Sequence, residues 1–269
     1  HWQIPGYLFL GGLAAGILFF ASFFTIMGKE NKMEATVKKA PMIVPFALIL
    51  GLFFLFLDLK HKLYFWQLYT TVRIESPMSW GAWVLMAITP LSILWAASYI
   101  RELFPKWDWK YDILKKSEKW LIANRILMAW PMGALAVILG IYTGILLSAF
   151  NARPLWNTSI LGPLFLVSGM STGAAVIMLM SKDHKEKKII GRIDILLIVV
   201  ELFFIIHLFM GFLAGSEVQI NAANLFLGGK FTAPFFVFVV ILGLIFPAVL
   251  EIMELKGFKV PIVIPAILI

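Results

Sequence analysis

Long uninterrupted runs of apolar residues constrain this sequence more than any other feature. Seven such runs and the beginning of an eighth alternate with short segments that contain most of the charged residues. A single bilayer crossing takes about 20 apolar residues. Strands of a transmembrane barrel alternate apolar and polar residues, whereas these runs are continuously apolar. Helices also satisfy their own backbone hydrogen bonds in lipid, so we predict an all-α, multi-pass membrane protein.

The composition excludes two other classes of protein. Hydrophobic residues make up 61% of the 269 positions and charged residues only 14%, where a soluble domain carries about 25% charged residues. The mean hydropathy is +0.91. A soluble globular domain and a disordered chain, which combines low hydrophobicity with high charge, are therefore both excluded.

The apolar runs predict eight transmembrane helices. The spans are 4–27, 42–57, 79–100, 120–150, 160–180, 193–215 and 232–252, and an eighth begins near Val260 and is cut short. The fourth run is longer than a bilayer requires, so we expect it to tilt or to project from the membrane. We expect two four-helix bundles, formed by residues 1–157 and 158–269.

The distribution of lysine and arginine predicts the orientation in the membrane. Seventeen of these residues fall in the loops after the first, third, fifth and seventh spans, five fall in the other loops, and Arg125 lies inside a span. Cytoplasmic loops collect positive charge, so the N-terminus is predicted to be outside. The net charge of +8 then reflects topology, and no nucleic-acid partner is expected.

The absence of cysteine limits the cofactors that this protein can hold. With no cysteine, it has no ligands for an iron–sulfur cluster or a thiolate zinc site. Its four histidines leave little room for haem, and we expect no metal site. The terminal redox centre of any complex is therefore expected on another chain.

Small-residue steps recur in two of the spans. The first span contains Gly12 and Gly16, and the fifth contains Gly169 and Gly173. Such steps let helices approach closely. Four spans separate the two steps, so the halves are predicted to be parallel repeats. Gly140 and Gly144 form a third step, and close packing is the expected role of all three.

Polar and aromatic residues gather at the predicted outer ends of the spans. They include Gln3, Tyr7, Asp58, His61 and Tyr142. One interpretation is an aromatic belt with helix caps. The other is a quinone site, because a quinone ring needs one or two hydrogen-bond donors, an apolar wall and a proton acceptor. The residue types are compatible with both interpretations.

Ionisable residues inside the sixth span are candidates for proton transfer. Glu201 is predicted near mid-depth, where a charge is costly and is by default a functional candidate. The alternative is a structural ion pair, or a protonated carboxyl bonded to a hydroxyl group such as that of Ser168, Ser171 or Thr172. His207 follows six residues later, about 240° around the helix, and so lies on another face.

Two further ionisable residues lie near the predicted inner surface. Arg125 and Asp194 are either paired with each other between the fourth and sixth spans, or Arg125 extends its charged group towards the interface.

Several motifs resemble those of the NrfD/polysulfide reductase membrane-subunit family, and their order and spacing extend over the first seven spans. They are Pro5 to Gly16, Asp58-Leu59, Ser76-Pro77-Met78-Ser79-Trp80-Gly81, Gly140-Ile141-Tyr142-Thr143-Gly144, Arg153 to Thr158, Leu161 to Phe165 and Ser168-Gly169.

The resemblance implies specific roles for some residues. It implies a quinol site near the outer face of the first bundle, with Tyr142 at the position of a quinone ligand and with Gln3 and Tyr7 lining the site. After Asp58 this sequence has Lys60-His61-Lys62, where the family often has Gly, a basic residue and Pro. His61 is thus either a substitute ligand or a headgroup contact.

The resemblance also implies the assembly. The protein is predicted to be a quinol-binding anchor and electron-transfer subunit in the cytoplasmic membrane, with menaquinone as its quinone. The expected partners are an outer ferredoxin-like iron–sulfur subunit and a molybdenum catalytic subunit, with Trp66, Arg153 and Asn157 at the interface. Protons are expected to leave through Asp58 or His61, or to enter through Asp194, Glu201 and His207. An ion- or proton-translocating transporter subunit is the alternative.

Overall fold

The computed structural model describes residues 3–59, 61–71, 73–150, 152–258 and 263–269, and within these ranges every regular element is helical. The helices are α1 (Gln3–Ile26), α2 (Val44–Asp58), α3 (Gln67–Thr70), α4 (Pro77–Leu103), α5 (Asp112–Ala123), α6 (Arg125–Ser148), α7 (Leu161–Met180), α8 (His184–Leu213), α9 (Glu217–Asn224), α10 (Thr232–Pro234), α11 (Phe246–Leu255) and α12 (Val263–Leu268). A π-helical segment, Phe235–Ile245, joins α10 to α11. Ala35–Lys39 and Ala40–Met42 lead into α2.

Seven helical segments in the described ranges are long and apolar enough to cross a membrane. They are Gln3–Ile26, Ala35–Asp58, Pro77–Leu103, Arg125–Ser148, Leu161–Met180, His184–Leu213 and Thr232–Leu255. These segments confirm the all-helical prediction and correspond to the first seven predicted spans. Val260, where the eighth span was expected to begin, and Lys60 lie outside the described residues. The six-residue α12 leaves the eighth span a prediction.

The fourth span is shorter than predicted. Residues Trp120 to Ala123 belong to α5, and the next residue, Asn124, breaks the helix with φ −110° and ψ 19°. Three lysines and a glutamate in the 12 residues of α5 give it a polar face, so it is suited to an interface rather than to the bilayer interior. The inclusion of residues 120–124 in the span was therefore wrong. A separate helix, α6, crosses the bilayer.

Helix α1 lies at the centre of the fold and packs against α2, α6 and α7. Its glycine and alanine residues from Gly11 onwards are buried, and residues Gly11 to Gly16 are buried without interruption. Without an apolar-to-water driving force in lipid, helices associate through close van der Waals contact, which small residues permit. The sequence of α1 therefore suits a central helix that is surrounded by protein.

The contact between α1 and α7 joins two of the small-residue steps. A Cβ atom added to Gly12 would lie 3.5 Å from the Cα atom of Gly169, and one added to Gly173 would lie 2.7 Å from the carbonyl carbon of Gly16. The order of these contacts shows that α1 and α7 run in the same direction. Gly144 packs in the same way against the backbone of Leu161. Close packing at all three steps is confirmed, while the parallel repeat remains a prediction.

These contacts define two ends of the helical bundle. Helices α1, α4 and α7 begin, and α6 and α8 end, at what we call the tyrosine end, which carries Tyr7 and Tyr142. The opposite end carries Lys38, Lys115 and Lys185, and we call it the lysine end. The prediction that the tyrosine end faces outwards rests on the charge distribution alone.

An ionic cluster joins three helical segments at the lysine end, where a buried arginine meets a partly exposed glutamate. Arg125 is 9% exposed, its guanidinium donates to Glu102 at 2.7 Å, and it lies 3.6 Å from the ring centroid of Tyr99. Lys38 reaches the other oxygen of Glu102 at 2.8 Å. The backbone carbonyl of Ser98 also accepts from Arg125. Both sequence-based interpretations of Arg125 were therefore wrong. Its guanidinium group binds Glu102 and the carbonyl group of Ser98, and it neither pairs with Asp194 nor extends towards the interface.

A second carboxylate fixes the entry to the second span. Glu186 is 1% exposed and accepts hydrogen bonds from the backbone amides of Ala35 and Thr36 at 3.2 and 2.8 Å. The hydroxyl groups of Thr36 and Ser181 donate to it at 2.8 and 2.7 Å. The carboxylate thus satisfies amides at the start of a helical segment, where no preceding turn supplies their acceptors.

Candidate functional site

Tyr142 lies about two turns before the end of α6, at the tyrosine end, and only 6% of it is exposed. The N-terminal turn of α4 faces it at Gly81. A Cβ atom added to Gly81 would overlap the phenol group of Tyr142. Gly81 therefore provides the space that the tyrosine side chain occupies, which explains why these two motif residues occur together.

A cavity of about 510 Å³ lies next to Tyr142, between α4 and α6. Its lining residues are Ile74, Glu75, Pro77, Trp80, Val84, Ile138, Ile141, Tyr142 and Ile145. The indole nitrogen of Trp80 donates to the carbonyl oxygen of Ile74 at 2.8 Å, which fixes the ring and the preceding loop. Ligand sites are commonly apolar cavities of about 300–1,000 Å³ with a few polar groups. This cavity has that size and that character.

Tyr7 lies close to Tyr142 and to a third tyrosine, Tyr69, at this end of the bundle. Tyr7 is buried on α1, and both Tyr142 and Tyr69 lie close enough to interact with it electrostatically. Burial raises the pKa of Tyr69, in the short helix α3, above its ordinary value. Its hydroxyl group therefore stays protonated at neutral pH and can donate a hydrogen bond.

The structure brings together only some of the residues predicted for the quinone site. Gln3 is half-buried near the start of α1, and Asp58 is half-buried at the end of α2. His61 is exposed and lines a separate cavity of about 370 Å³, together with Tyr64, Gln67 and Ser76. Of the predicted set, Tyr142 alone lines the 510 Å³ cavity, and Tyr7 lies behind it.

Three buried acids gather between α7, α8 and α11. Asp194 accepts a hydrogen bond from the hydroxyl group of Ser171 at 2.6 Å, and its carboxyl group contacts that of Glu251. Glu201 lies on the same side of α8, 8% exposed, and contacts the side chain of Ser168. Ser168 is one of the hydroxyl-bearing residues named in the alternative interpretation of Glu201, and the role of Glu201 stays a prediction. Glu251 was not anticipated, although an acid four residues after Pro247 within an apolar run was a visible signal.

His207 does not belong to this group of acids. It is exposed on the surface of α8 and stacks on Phe203 with ring centroids 5.8 Å apart. Glu201 faces the interior of the protein instead. The two residues thus lie on different faces of α8, as the helical spacing predicted, and they do not form a direct pathway.

The three residues predicted at a partner interface are exposed at the tyrosine end. Trp66 and Asn157 are accessible, and the guanidinium of Arg153 lies 5.5 Å from the ring centroid of Trp156. Glu75, which lines the 510 Å³ cavity, and Tyr69, which lies near Tyr7, were missed because they lie in a loop and a short helix without apolar periodicity. Within the described residues, no group of three histidine or acidic side chains could hold a metal ion.

Comparison with known proteins identifies the family. The family described as "Polysulphide reductase, NrfD" matches residues 1–269. The chain belongs to the NrfD family. The protein NrfD of Escherichia coli strain K12 is 32% identical to this family member over 98% of the present sequence and 88% of the relative.

Two further relatives belong to the same comparison. The C subunit of polysulfide reductase from Wolinella succinogenes is 31% identical over 96% of the present sequence and 84% of its own length. The NrfD homolog of Haemophilus influenzae is 27% identical over 92% of the present sequence and 81% of the relative. Family membership and the seven apolar helices together show that this member of the NrfD family is an integral membrane protein. The family resemblance drawn from the motifs is thereby confirmed.

Proposed function

We propose that this protein is the quinone-reactive membrane subunit of an oxidoreductase complex, and that it exchanges electrons between the membrane quinone pool and an iron–sulfur partner. The observation that carries the proposal is the 510 Å³ cavity between α4 and α6, which Tyr142 lines. The name of the Wolinella relative describes that protein as one subunit of polysulfide reductase. A membrane anchor with a redox role agrees with that relationship.

The residues around the cavity suit a quinone headgroup. The Tyr142 hydroxyl group is a donor for a ring carbonyl, and Pro77, Trp80 and Val84 supply a flat apolar wall. Glu75 places a carboxylate at the edge of the cavity. This group is suited to accept a proton close to solvent. A bound quinol supplies two electrons and two protons, and menaquinone is the quinone that we propose.

The partner must carry the clusters, because this protein has no cysteine to hold them. We propose that a ferredoxin-like subunit binds at the tyrosine end, where Trp66, Arg153 and Asn157 are exposed. A molybdenum subunit beyond it would contain the substrate-reducing centre. The excess of lysine at the other end supports an outward-facing tyrosine end in the cytoplasmic membrane.

A titration with a fluorescent quinol analogue tests the quinone site in the detergent-purified protein. We expect saturable quenching that added menaquinone reverses. Ile138→Trp would fill the cavity and abolish the component of binding that depends on Tyr142, because Ile138 lines the wall of the cavity. Ile126→Trp is the matched control, since Ile126 is exposed on the same helix at the lysine end. Unchanged binding in Ile138→Trp would reject this cavity as the quinone site.

Proton transfer through the second half of the protein is a related proposal. Asp194, Glu201 and Glu251 are acids buried at membrane depth, where ionisable residues commonly serve proton pathways. The same observation favours the alternative function, an ion- or proton-translocating subunit. In vesicles that contain the whole complex and a pH-sensitive dye, Glu251→Gln should reduce the protons moved per quinol. Normal turnover with an unchanged proton count would exclude a role for Glu251.

A further inference from the structure

A second cavity, of about 310 Å³, lies between α7, α8 and the segment that follows α9. Six of its thirteen lining residues are aromatic, namely Trp156, Phe165, Phe209, Phe212, Phe226 and Phe235, and most of the others are aliphatic. The cavity lies at the tyrosine end, because it includes the start of α7 and the last turns of α8. It is thus separate from the Tyr142 cavity but opens at the same level of the bundle.

The aromatic wall is interlocked. The ring centroids of Phe209 and Phe235 are 5.5 Å apart, as are those of Phe226 and Phe235, and both pairs meet edge to face. Such pairs are favourable beyond the burial of their surface. Phe235 also begins the π-helical segment Phe235–Ile245, a rare type of helix that is frequently found at functional sites. The ring contacts hold these three side chains in place along the wall of the cavity.

Among the described residues that line this cavity, Glu201 is the only charged one. It is 8% exposed, and Ser168, which also lines the cavity, contacts it. Both residues also border a neighbouring cavity of about 230 Å³. A carboxylate in an apolar surrounding is costly unless hydrogen-bond donors satisfy its oxygen atoms. The hydroxyl group of Ser168 can donate only one hydrogen bond, so the carboxylate of Glu201 can accept further hydrogen bonds from a ligand in the cavity.

We infer that this cavity is a second binding site for a hydroxyl-bearing aromatic ring on an apolar tail, the chemical class of a quinol, with the ring hydroxyl group donating to Glu201. This inference concerns a site separate from the Tyr142 cavity and does not depend on it. The two sites differ in their polar group, since Tyr142 donates to a carbonyl and a carboxylate accepts from a hydroxyl. The Glu201 cavity therefore needs a ring that carries a hydroxyl group, whereas the Tyr142 hydroxyl group can pair with either redox form of the ring.

Equilibrium binding of 2-heptyl-4-hydroxyquinoline N-oxide to the detergent-purified protein tests the inference. We expect two equivalents of this probe per protein molecule. Ile205→Trp would fill the Glu201 cavity and remove one equivalent, and Ile138→Trp would remove the other, because each isoleucine lines one cavity. Glu201→Leu should weaken the second equivalent about tenfold, as expected for one hydrogen bond to a charged group. Glu201→Gln, which keeps a neutral acceptor, should weaken it less.

The outcomes separate the two sites. If the protein binds only one equivalent of the probe, and Ile138→Trp removes it while Ile205→Trp does not, the second site is overturned and the proposed function stands. A single equivalent with the opposite pattern would support the Glu201 site and reject the Tyr142 cavity. Equal binding of 2-heptylquinoline, which lacks the hydroxyl group, at the Glu201 cavity would indicate a lipid-like occupant and overturn the inference. If Ile205→Trp does not fold, the smaller change Glu201→Leu decides by the same measurement.

Discussion

Gly16 of α1 and Gly169 of α7 bring two helix backbones into direct contact at the centre of the protein. A Cβ atom added to Gly169 would lie 2.7 Å from the carbonyl oxygen of Gly12, and one added to Gly16 would overlap the backbone of Gly169. Neither helix can move aside easily, since α1 is surrounded by α2, α6 and α7. The alignment of α1 with α7 depends on this crossing.

Gly16→Ala should destabilise the protein by about 1–3 kcal/mol, the usual cost of overpacking an interior contact. The free energy of unfolding in mixed detergent micelles measures the effect. Gly211→Ala is the matched control, because an added Cβ atom there meets nothing within 4 Å. That control should be neutral or slightly stabilising, since alanine favours helices over glycine. Equal effects of the two substitutions would contradict the close crossing.

Tyr142→Phe should weaken quinol-analogue binding at the Tyr142 cavity by about 1–2 kcal/mol, because it removes one hydrogen-bond donor and keeps the ring. Fluorescence titration of the purified protein gives the dissociation constant. Tyr111→Phe is the control, since Tyr111 is exposed at the lysine end, just before α5. An affinity equal to that of the wild type would remove Tyr142 from the site.

Arg125→Met should lower the free energy of unfolding by about 2 kcal/mol, because the buried guanidinium loses its charged hydrogen bond to the partly exposed Glu102. The change leaves Glu102 with only Lys38 as an ionic partner among the described residues, and it removes the cation from the ring of Tyr99. The exposed Arg192, changed to Met, controls for the loss of one positive charge. If Arg125→Met lowers the free energy of unfolding no more than Arg192→Met does, the ionic cluster contributes little to the stability of the protein.

Glu186→Ala should also destabilise the protein by about 3 kcal/mol, because the buried backbone amides of Ala35 and Thr36 lose their acceptor. Hydrogen exchange at residues 35–37 should rise in parallel, since these amides fix the entry to the second span. Glu217→Ala, at an exposed position of α9, should change the stability by no more than a few tenths of a kcal/mol and leave the exchange as it was. Unchanged exchange in Glu186→Ala would reject this role for the carboxylate.

The positions of the spans could be predicted from the sequence because the lipid bilayer imposes a simple requirement on each helix. A crossing helix must be apolar for about 20 residues, so the runs themselves predict the helices. The exception was the fourth run, where the polar α5 and the break at Asn124 divide what hydropathy alone joins. The glycine steps also predicted close contacts, and the charge asymmetry predicted an orientation. Each of these signals is local in the sequence.

The partners of the polar side chains were decided only by the tertiary structure. Arg125 and Asp194 were predicted at a similar depth in the membrane, yet Arg125 pairs with Glu102. Asp194 contacts Ser171 and Glu251 instead. Similarly, Gly81 accommodates Tyr142 although the two residues are far apart in the sequence. The sequence by itself determined which segments cross the membrane, because burial in lipid acts on each helix separately. Which side chains meet between the helices depended on rotation and packing, which arise only when all the helices assemble.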